Sequence, residues 1–231
     1  TVEGNGQSIS VSGRLHVEGV NQNTILRNVN LNLSAFSNTL GYLKIKDSVV
    51  IGGKMLSGGG YGSFDLTDSL FENVGGFYLW YPKSDSTILR NVFKGSDGLS
   101  IGLNGPKLLV KNNLFVEQNG ATNSGEQHTA IVCWADYQDT LTIEHNSFVS
   151  IDRVALALPS GYNSAKMSAR NNYFGTTDEA VIKAMIIDRN DSLNYSSVIQ
   201  YSPFLSSHHP DTPMFYEDTD GDGVRDNFDA F

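Results

Sequence analysis

The sequence predicts an all-β solenoid, in which short parallel strands stack turn upon turn around a common core. Seven segments share one pattern: an apolar residue, two variable positions, Asn or Ser, one further position, and then usually Phe. They end at Asn30, Val50, Phe71, Phe93, Phe115, Phe148 and Phe174. Most steps are about 22 residues, too short for a strand–helix–strand crossover but suited to strands stacked about 4.8 Å apart. Abundant Gly and sparse Pro suit many short strands joined by tight turns.

A column of polar residues runs through the repeat, two positions before the last residue of each segment. Its members are Asn28, Ser48, Ser69, Asn91, Asn113, Asn146 and Asn172. Amide and hydroxyl side chains at a bend can satisfy backbone groups that the turn leaves open. We therefore interpret this column as a hydrogen-bonded ladder with a structural role.

A helix signal follows the last repeat. Residues 176–179 read Thr-Thr-Asp-Glu and match the capping box that begins many helices. They predict a short helix over about residues 177–187 that covers the last turn of the solenoid. Its apolar face is expected to consist of Val181, Ala184 and Met185.

These patterns divide the chain into three predicted regions. Residues 1–205 form the solenoid with its capping helix, residues 206–217 form a linker, and residues 218–231 form an acidic end segment. The part of the linker up to Pro213 reads as extended chain with two prolines. His208 and His209 lie within it, and we expect both to be solvated.

The repeat resembles that of the parallel β-helix in pectate-lyase-like proteins. Asn-Asn-Tyr-Phe-Gly at 171–175, followed by a helix, looks like the closing segment of many secreted bacterial β-helix proteins. The resemblance covers roughly residues 8–205. It implies an all-β, right-handed parallel β-helix solenoid with a short C-terminal capping helix. Function stays open, because this fold hosts lyases, hydrolases, epimerases, adhesins and inert spacers.

The acidic end segment contains a calcium-binding pattern. Residues 218–229 match the twelve-residue calcium loop, with Gly223 at the sixth position, where the chain turns sharply. The predicted ligands are Asp218, Asp220, Asp222, Val224 through its carbonyl, Asp226 and Asp229. No helix pattern flanks the loop, and residues 218–231 resemble one thrombospondin type 3 repeat instead. Bound calcium implies an extracellular or cell-surface location.

Charge and composition exclude several classes of partner. The net charge of -9, with no basic stripe, argues against nucleic acid and anionic membranes. No apolar run is long enough to span a bilayer. The single cysteine, Cys133, excludes an internal disulfide. Because the chain begins with Thr1 rather than Met, we expect a monomeric piece of a larger, modular bacterial protein.

One turn of the repeat is longer than its neighbours because about ten residues are inserted within 116–128. Long loops are more often functional than short ones. Removing the insertion aligns Ile131 with Leu99 and Cys133 with Ile101. This alignment predicts that Cys133 faces the core as a small apolar residue.

The same alignment places Trp134 beside Gly102 and Trp80 in one outward column. The two indoles would then lie about 9–10 Å apart with glycine between them. Aromatic faces pack well on the apolar faces of sugar rings, so the pair is a candidate carbohydrate platform. Tyr78 and Tyr137 would border it. The alternative is that the inserted loop folds over Trp134 and buries it.

Catalysis is the competing hypothesis. Residues 98–102 match the G-x-S-x-G nucleophile pattern, but they lie on a predicted flat strand rather than a strand-to-helix elbow, so we dismiss Ser100. Near the insertion, Glu126, His128 and Asp136 could serve a polysaccharide lyase, epimerase or hydrolase acting on an acidic glycan. They form no diagnostic motif. The sequence therefore favours carbohydrate binding or adhesion, with a passive spacer as a third possibility.

Overall fold

A computed structural model describes residues 2–17, 24–34, 37–40, 43–59, 63–117, 129–135, 139–149 and 154–215. Within these ranges, nearly all regular structure is parallel β-strand, and one short helix lies near the C-terminal end. The chain visits three sheets in turn, here named A, B and C, before it returns to the first sheet. The predicted all-β solenoid is confirmed.

The strands of each sheet come from successive turns of chain, and every pairing between described strands is parallel. Sheet A consists of β1 (Val2–Glu3), β4 (Thr24–Arg27), β7 (Leu43–Lys46), β10 (Asp65–Thr67), β13 (Ser86–Leu89), β16 (Leu108–Lys111) and β19 (Leu141–Glu144). Sheet B consists of β2 (Ser8–Val11), β5 (Asn30–Leu33), β8 (Val49–Gly52), β11 (Leu70–Glu72), β14 (Val92–Lys94), β17 (Leu114–Val116) and β20 (Ser147–Phe148). Sheet C consists of β3 (His16–Val17), β6 (Ser37–Leu40), β9 (Met55–Gly59), β12 (Phe77–Trp80), β15 (Leu99–Gly102), β18 (Thr129–Ala135), β21 (Val154–Ala157) and β22 (Ile186–Ile187).

The core lies inside the coil, where inward residues of the three sheets meet. Each sheet contributes a column of aliphatic or aromatic residues, because side chains two apart point to the same face of a strand. The column of sheet B ends in five stacked rings: Phe71, Phe93, Phe115, Phe148 and Phe174. Their centroids are 5.2, 4.9, 5.1 and 5.4 Å apart, in the range that favours offset stacking.

The first repeat is shifted by one residue from the predicted alignment. Leu31, rather than Asn30, pairs with Val50. Asn28 is not part of the ladder, because it has a positive φ of 52° at the turn that joins β4 to β5. Asp47 holds the equivalent position in the next turn, with a φ of 50°. Asn and Asp tolerate this left-handed conformation better than other residues with a side chain, which explains the shift.

The remaining members of the polar column form the predicted ladder. The backbone N–H of each turn donates to the side-chain oxygen of the next, from Val29 to Ser48 and onward to Asn172. The donor–acceptor distances run from 3.2 Å for the first bond to 2.8 Å for the last. The asparagine amides also donate to carbonyls of an earlier strand, as Asn113 does to Ile88 at 2.9 Å. Asn91, Asn113, Asn146 and Asn172 are fully buried, so these bonds replace lost water.

The capping helix is shorter than predicted. Helix α1 spans Glu179–Ala184, and its N-cap is Asp178, whose carboxylate accepts from the N–H of Ala180. The inward face of the helix also differs from the predicted one. Ile182 is buried, and Val181 and Ala184 point to solvent. Met185 is buried as predicted, but it lies at the C-cap.

Asn113→Ala is expected to lower the free energy of unfolding by about 3 kcal/mol, because it leaves buried N–H and C=O groups of neighbouring turns without partners. Asn113→Ser should cost about 1 kcal/mol less, since Ser69 at the same column position still accepts a backbone N–H and donates to a carbonyl. Chemical denaturation of the two variants measures the difference. Equal stabilities of the alanine and serine variants would contradict the ladder.

Candidate ligand-binding site

The outer face of sheet C carries a group of aromatic side chains in contact with one another. On β12, Phe77 and Leu79 are buried in the core, whereas Tyr78 and Trp80 point outward and are half-buried. Trp134 of β18 is also half-buried. Together with two tyrosines from loops, these side chains form the aromatic cluster: Tyr78, Trp80, Tyr81, Trp134 and Tyr162.

A β-bulge places Trp134 differently from the prediction. Ile101 pairs with Cys133 as expected, and Cys133 is buried in the core. Gly102, however, pairs with Ala135, so Trp134 is the extra residue between these two pairs. A bulge re-aims the side chain of the extra residue. The indole of Trp134 consequently meets that of Trp80.

The predicted gap between the indoles is wrong. The ring centroids of Trp80 and Trp134 are 5.5 Å apart, and the ring planes are tilted by 48°. The two rings therefore form one continuous apolar surface in which one ring is tilted against the other. They are not two platforms separated by an open space. Trp80 and Trp134 are both half-buried, and the inserted loop of the alternative lies outside the described residues.

Ser100 fixes the orientation of both indoles. Its hydroxyl oxygen accepts the Nε1–H of Trp80 at 3.2 Å and the Nε1–H of Trp134 at 2.9 Å. Ser100 is 6% exposed and lies on the flat strand β15, which pairs with β12 and β18. The elbow that a G-x-S-x-G nucleophile needs is absent from this strand, which agrees with the dismissal of Ser100 as a nucleophile.

Gly102 makes room for the indole of Trp80. A Cβ at position 102 would lie 3.3 Å from Cδ2 of Trp80, which is tighter than nine in ten Cβ contacts in proteins. The two residues are register partners on β15 and β12. Glycine therefore lets the indole lie on the strand surface and reach across to Ser100.

Two tyrosines that the repeat does not place complete the cluster. Tyr81 directly follows β12, and its ring meets Trp80 edge-on, at 5.7 Å between centroids and 77° between planes. Tyr162 lies in the loop after β21 and meets Trp134 in the same way, at 4.8 Å and 84°. Their exposed fractions are 46% for Tyr81 and 44% for Tyr162. Each tyrosine contacts one indole, so the indole pair lies between them in the chain of ring contacts.

Several predicted site residues lie outside the described part of the chain. They are Tyr137, the candidate catalytic residues Glu126, His128 and Asp136, and the calcium ligands Asp218, Asp220, Asp222, Val224, Asp226 and Asp229. Among the residues that the structure does describe, no group of three or more His, Cys, Asp or Glu side chains could hold a metal ion. Across the same residues, no helix has the length and apolar character needed to cross a membrane.

Comparisons of the chain with protein-family models, curated proteins and solved structures found no match.

Ser100→Ala is expected to loosen the indole pair, because both N–H groups lose their acceptor while remaining half-buried. The free energy of unfolding should fall by about 1–2 kcal/mol. The near-ultraviolet circular dichroism of the tryptophans should also weaken, since their relative orientation is no longer fixed. Ser57→Ala, at the position that pairs with Tyr78 on the other side of β12, serves as the matched control. An unchanged tryptophan signal in Ser100→Ala would contradict this role.

Proposed function

We propose that the solenoid is a carbohydrate-binding or adhesion domain of an extracellular protein, and that the aromatic cluster is its contact surface. The observation that supports this proposal most directly is the continuous chain of ring contacts from Tyr78 to Tyr162. A soluble protein without a partner for this surface gains nothing by leaving five aromatic side chains partly exposed.

The hydrogen bonds within the cluster define what a ligand would meet. Ser100 already accepts both indole N–H groups, so the indoles offer their apolar ring surface rather than a donor. Sugar rings have apolar C–H faces that pack on such surfaces. The exposed tyrosines at the two edges add hydroxyl groups that can donate to and accept from sugar hydroxyls.

Rigidity also favours binding at this face. The indoles are held by Ser100, by each other and by the strands that carry them. A surface that is already ordered loses little side-chain entropy when a ligand binds. This arrangement supports recognition of a ligand segment along a fixed surface rather than enclosure in a deep pocket.

A glycan array tests the proposal, with calorimetry on any glycan that binds. Trp80→Ala and Trp134→Ala should each weaken binding by about tenfold or more, which corresponds to about 1.4 kcal/mol. Ile51→Ala is the matched control, because Ile51 is an exposed apolar residue on sheet B, 38% accessible. It should bind like the unchanged protein.

Two outcomes would overturn the proposal. The first is that the unchanged protein binds no glycan on the array. The second is that the tryptophan variants bind as tightly as Ile51→Ala. A rise in ultraviolet absorbance on incubation with uronate polymers would indicate a polysaccharide lyase instead of a binding domain.

We further propose that residues 218–229 bind one calcium ion. The support comes from the sequence, in which five aspartates and Gly223 occupy the spacing that a calcium loop requires. Calcium takes six to eight oxygen ligands, and this segment can supply them from carboxylates and a backbone carbonyl. Millimolar calcium outside cells would keep such a site filled, which fits the proposed extracellular location.

Asp220→Ala and Asp222→Ala should each abolish most of the heat of calcium binding in calorimetry, because each removes a carboxylate ligand from the loop. Asp139→Ala changes the net charge equally at an exposed position outside the loop and should leave the heat unchanged. A calcium signal that survives in both loop variants would show that the assigned ligands are wrong.

A further inference from the structure

The chain after the solenoid turns back along it. Residues 206–215, here named the C-terminal strap, contact progressively earlier turns of the coil. His208 packs on Tyr173, His209 packs on His145, and Phe215 lies beside Lys94, whose Nζ is 4.3 Å from the ring centroid. The expectation that His208 and His209 are solvated is therefore wrong.

Two histidines form the central contact of the strap. The imidazoles of His145 and His209 stack with centroids 4.2 Å apart and planes within 9° of parallel. The hydroxyl of Thr212 adds a hydrogen bond to the carbonyl of His145 at 2.7 Å. Two residues further along the same turn of the coil, Oγ of Ser147 is 2.8 Å from Nδ1 of His208. Three imidazoles thus lie in the interface between strap and solenoid.

The hydrogen bonds of this interface require uncharged rings. Nδ1 of His209 accepts the side-chain N–H of Asn112 at 2.9 Å and the backbone N–H of Asp211 at 3.2 Å. A proton on Nδ1 would occupy its lone pair, so neither N–H could donate to it. Nδ1 of His145 is buried and has no hydrogen-bond partner among the described residues, so a proton there would find no acceptor. Stacked rings that both carry a charge would also repel each other at this distance.

The charged groups around His145 shift its pKa in both directions. Burial lowers the pKa of His145, and His209 and Lys111 lower it further, whereas Glu144 and Asp211 act against this. Lys111 and Glu144 pair with each other at 2.7 Å, which reduces the effect of both charges on the ring. Burial lowers the pKa of His208, which faces Tyr173 and Ser147. The carboxylate of Asp211 is 3.8 Å from His209, but it is largely exposed to solvent, which screens it.

We propose that the strap is a pH-dependent latch, docked on the solenoid while His145 and His208 are neutral and released when these two rings become protonated. The direction follows from proton linkage. A ring whose pKa is lowered on docking binds fewer protons in the docked state. Docking is therefore strongest above pH 6.5, the ordinary value for histidine, and weakens as the pH falls below it.

Amide hydrogen exchange on the complete chain tests the latch between pH 8 and pH 5.5, after correction for the intrinsic pH dependence of exchange. The reporters are the N–H groups of Asp211 and Thr212, which donate to the side chain and the carbonyl of His209. The protection of these amides at low pH should fall by about tenfold for each unit by which docking lowers the pKa values of His145 and His208. The N–H of Leu205 donates to Asn172 in the solenoid and should stay protected.

His145→Phe keeps a flat ring against His209 but cannot be protonated. In this variant, the loss of protection at Asp211 and Thr212 should be smaller than in the unchanged protein, because one of the two titrating rings is gone. His16→Phe is the matched control, because it removes a histidine from β3 at the other end of the coil, and it should respond like the unchanged protein. Ring signals of the unchanged protein in nuclear magnetic resonance give a second readout, which does not depend on how the variants fold.

The latch is overturned if the strap amides keep their protection while the rings of His145 and His208 become protonated. It is also overturned if His145→Phe loses protection over the same pH range, and to the same extent, as the unchanged protein. Loss of protection at the Leu205 N–H together with the strap amides would contradict it as well, because the last turn of the coil would then be opening along with the strap.

Discussion

The amide ladder is the interaction on which the rest of the structure depends. From Val29 to Asn146, each bend between sheets A and B buries a backbone N–H that water cannot reach. The side chain of the next turn accepts that N–H, from Val29 through to Asn146. A buried donor without a partner costs about 1–3 kcal/mol, so a slip of one residue would break bonds at every turn. The ladder therefore sets the register for all three sheets.

That register builds the aromatic cluster on the opposite side of the coil. Trp80, Ser100 and Trp134 come from three successive turns, and they meet only because sheet C keeps the alignment that the ladder imposes. Gly102 and the bulge at Trp134 then adjust the fit locally. The strap docks at the corner between sheets A and B, whereas the aromatic cluster lies on sheet C. The proposed binding surface and the proposed latch therefore occupy different sides of one scaffold.

The sequence predicts the parts of the structure that repeat. The Phe column, the ladder and the core position of Cys133 follow from one period, because stacked turns must place like residues together. Features that depart from the repeat could not be predicted from it. The shift at Asn28 depends on a positive φ, and the bulge at Trp134 adds a residue that no spacing rule reveals. Tyr162 and His209 reach their partners through irregular chain, where contacts depend on the folded path rather than on sequence distance.

Amide hydrogen exchange at the backbone N–H groups of Asn91, Asn113 and Asn146 tests the central claim most directly. These three groups donate to the side chains of the next turn, at 2.9, 2.9 and 2.8 Å. If the ladder holds the coil together, they exchange only when the whole coil unfolds and rank among the slowest amides of the chain. Exchange at the rate of exposed turn residues, with the sheets still intact, would contradict the account.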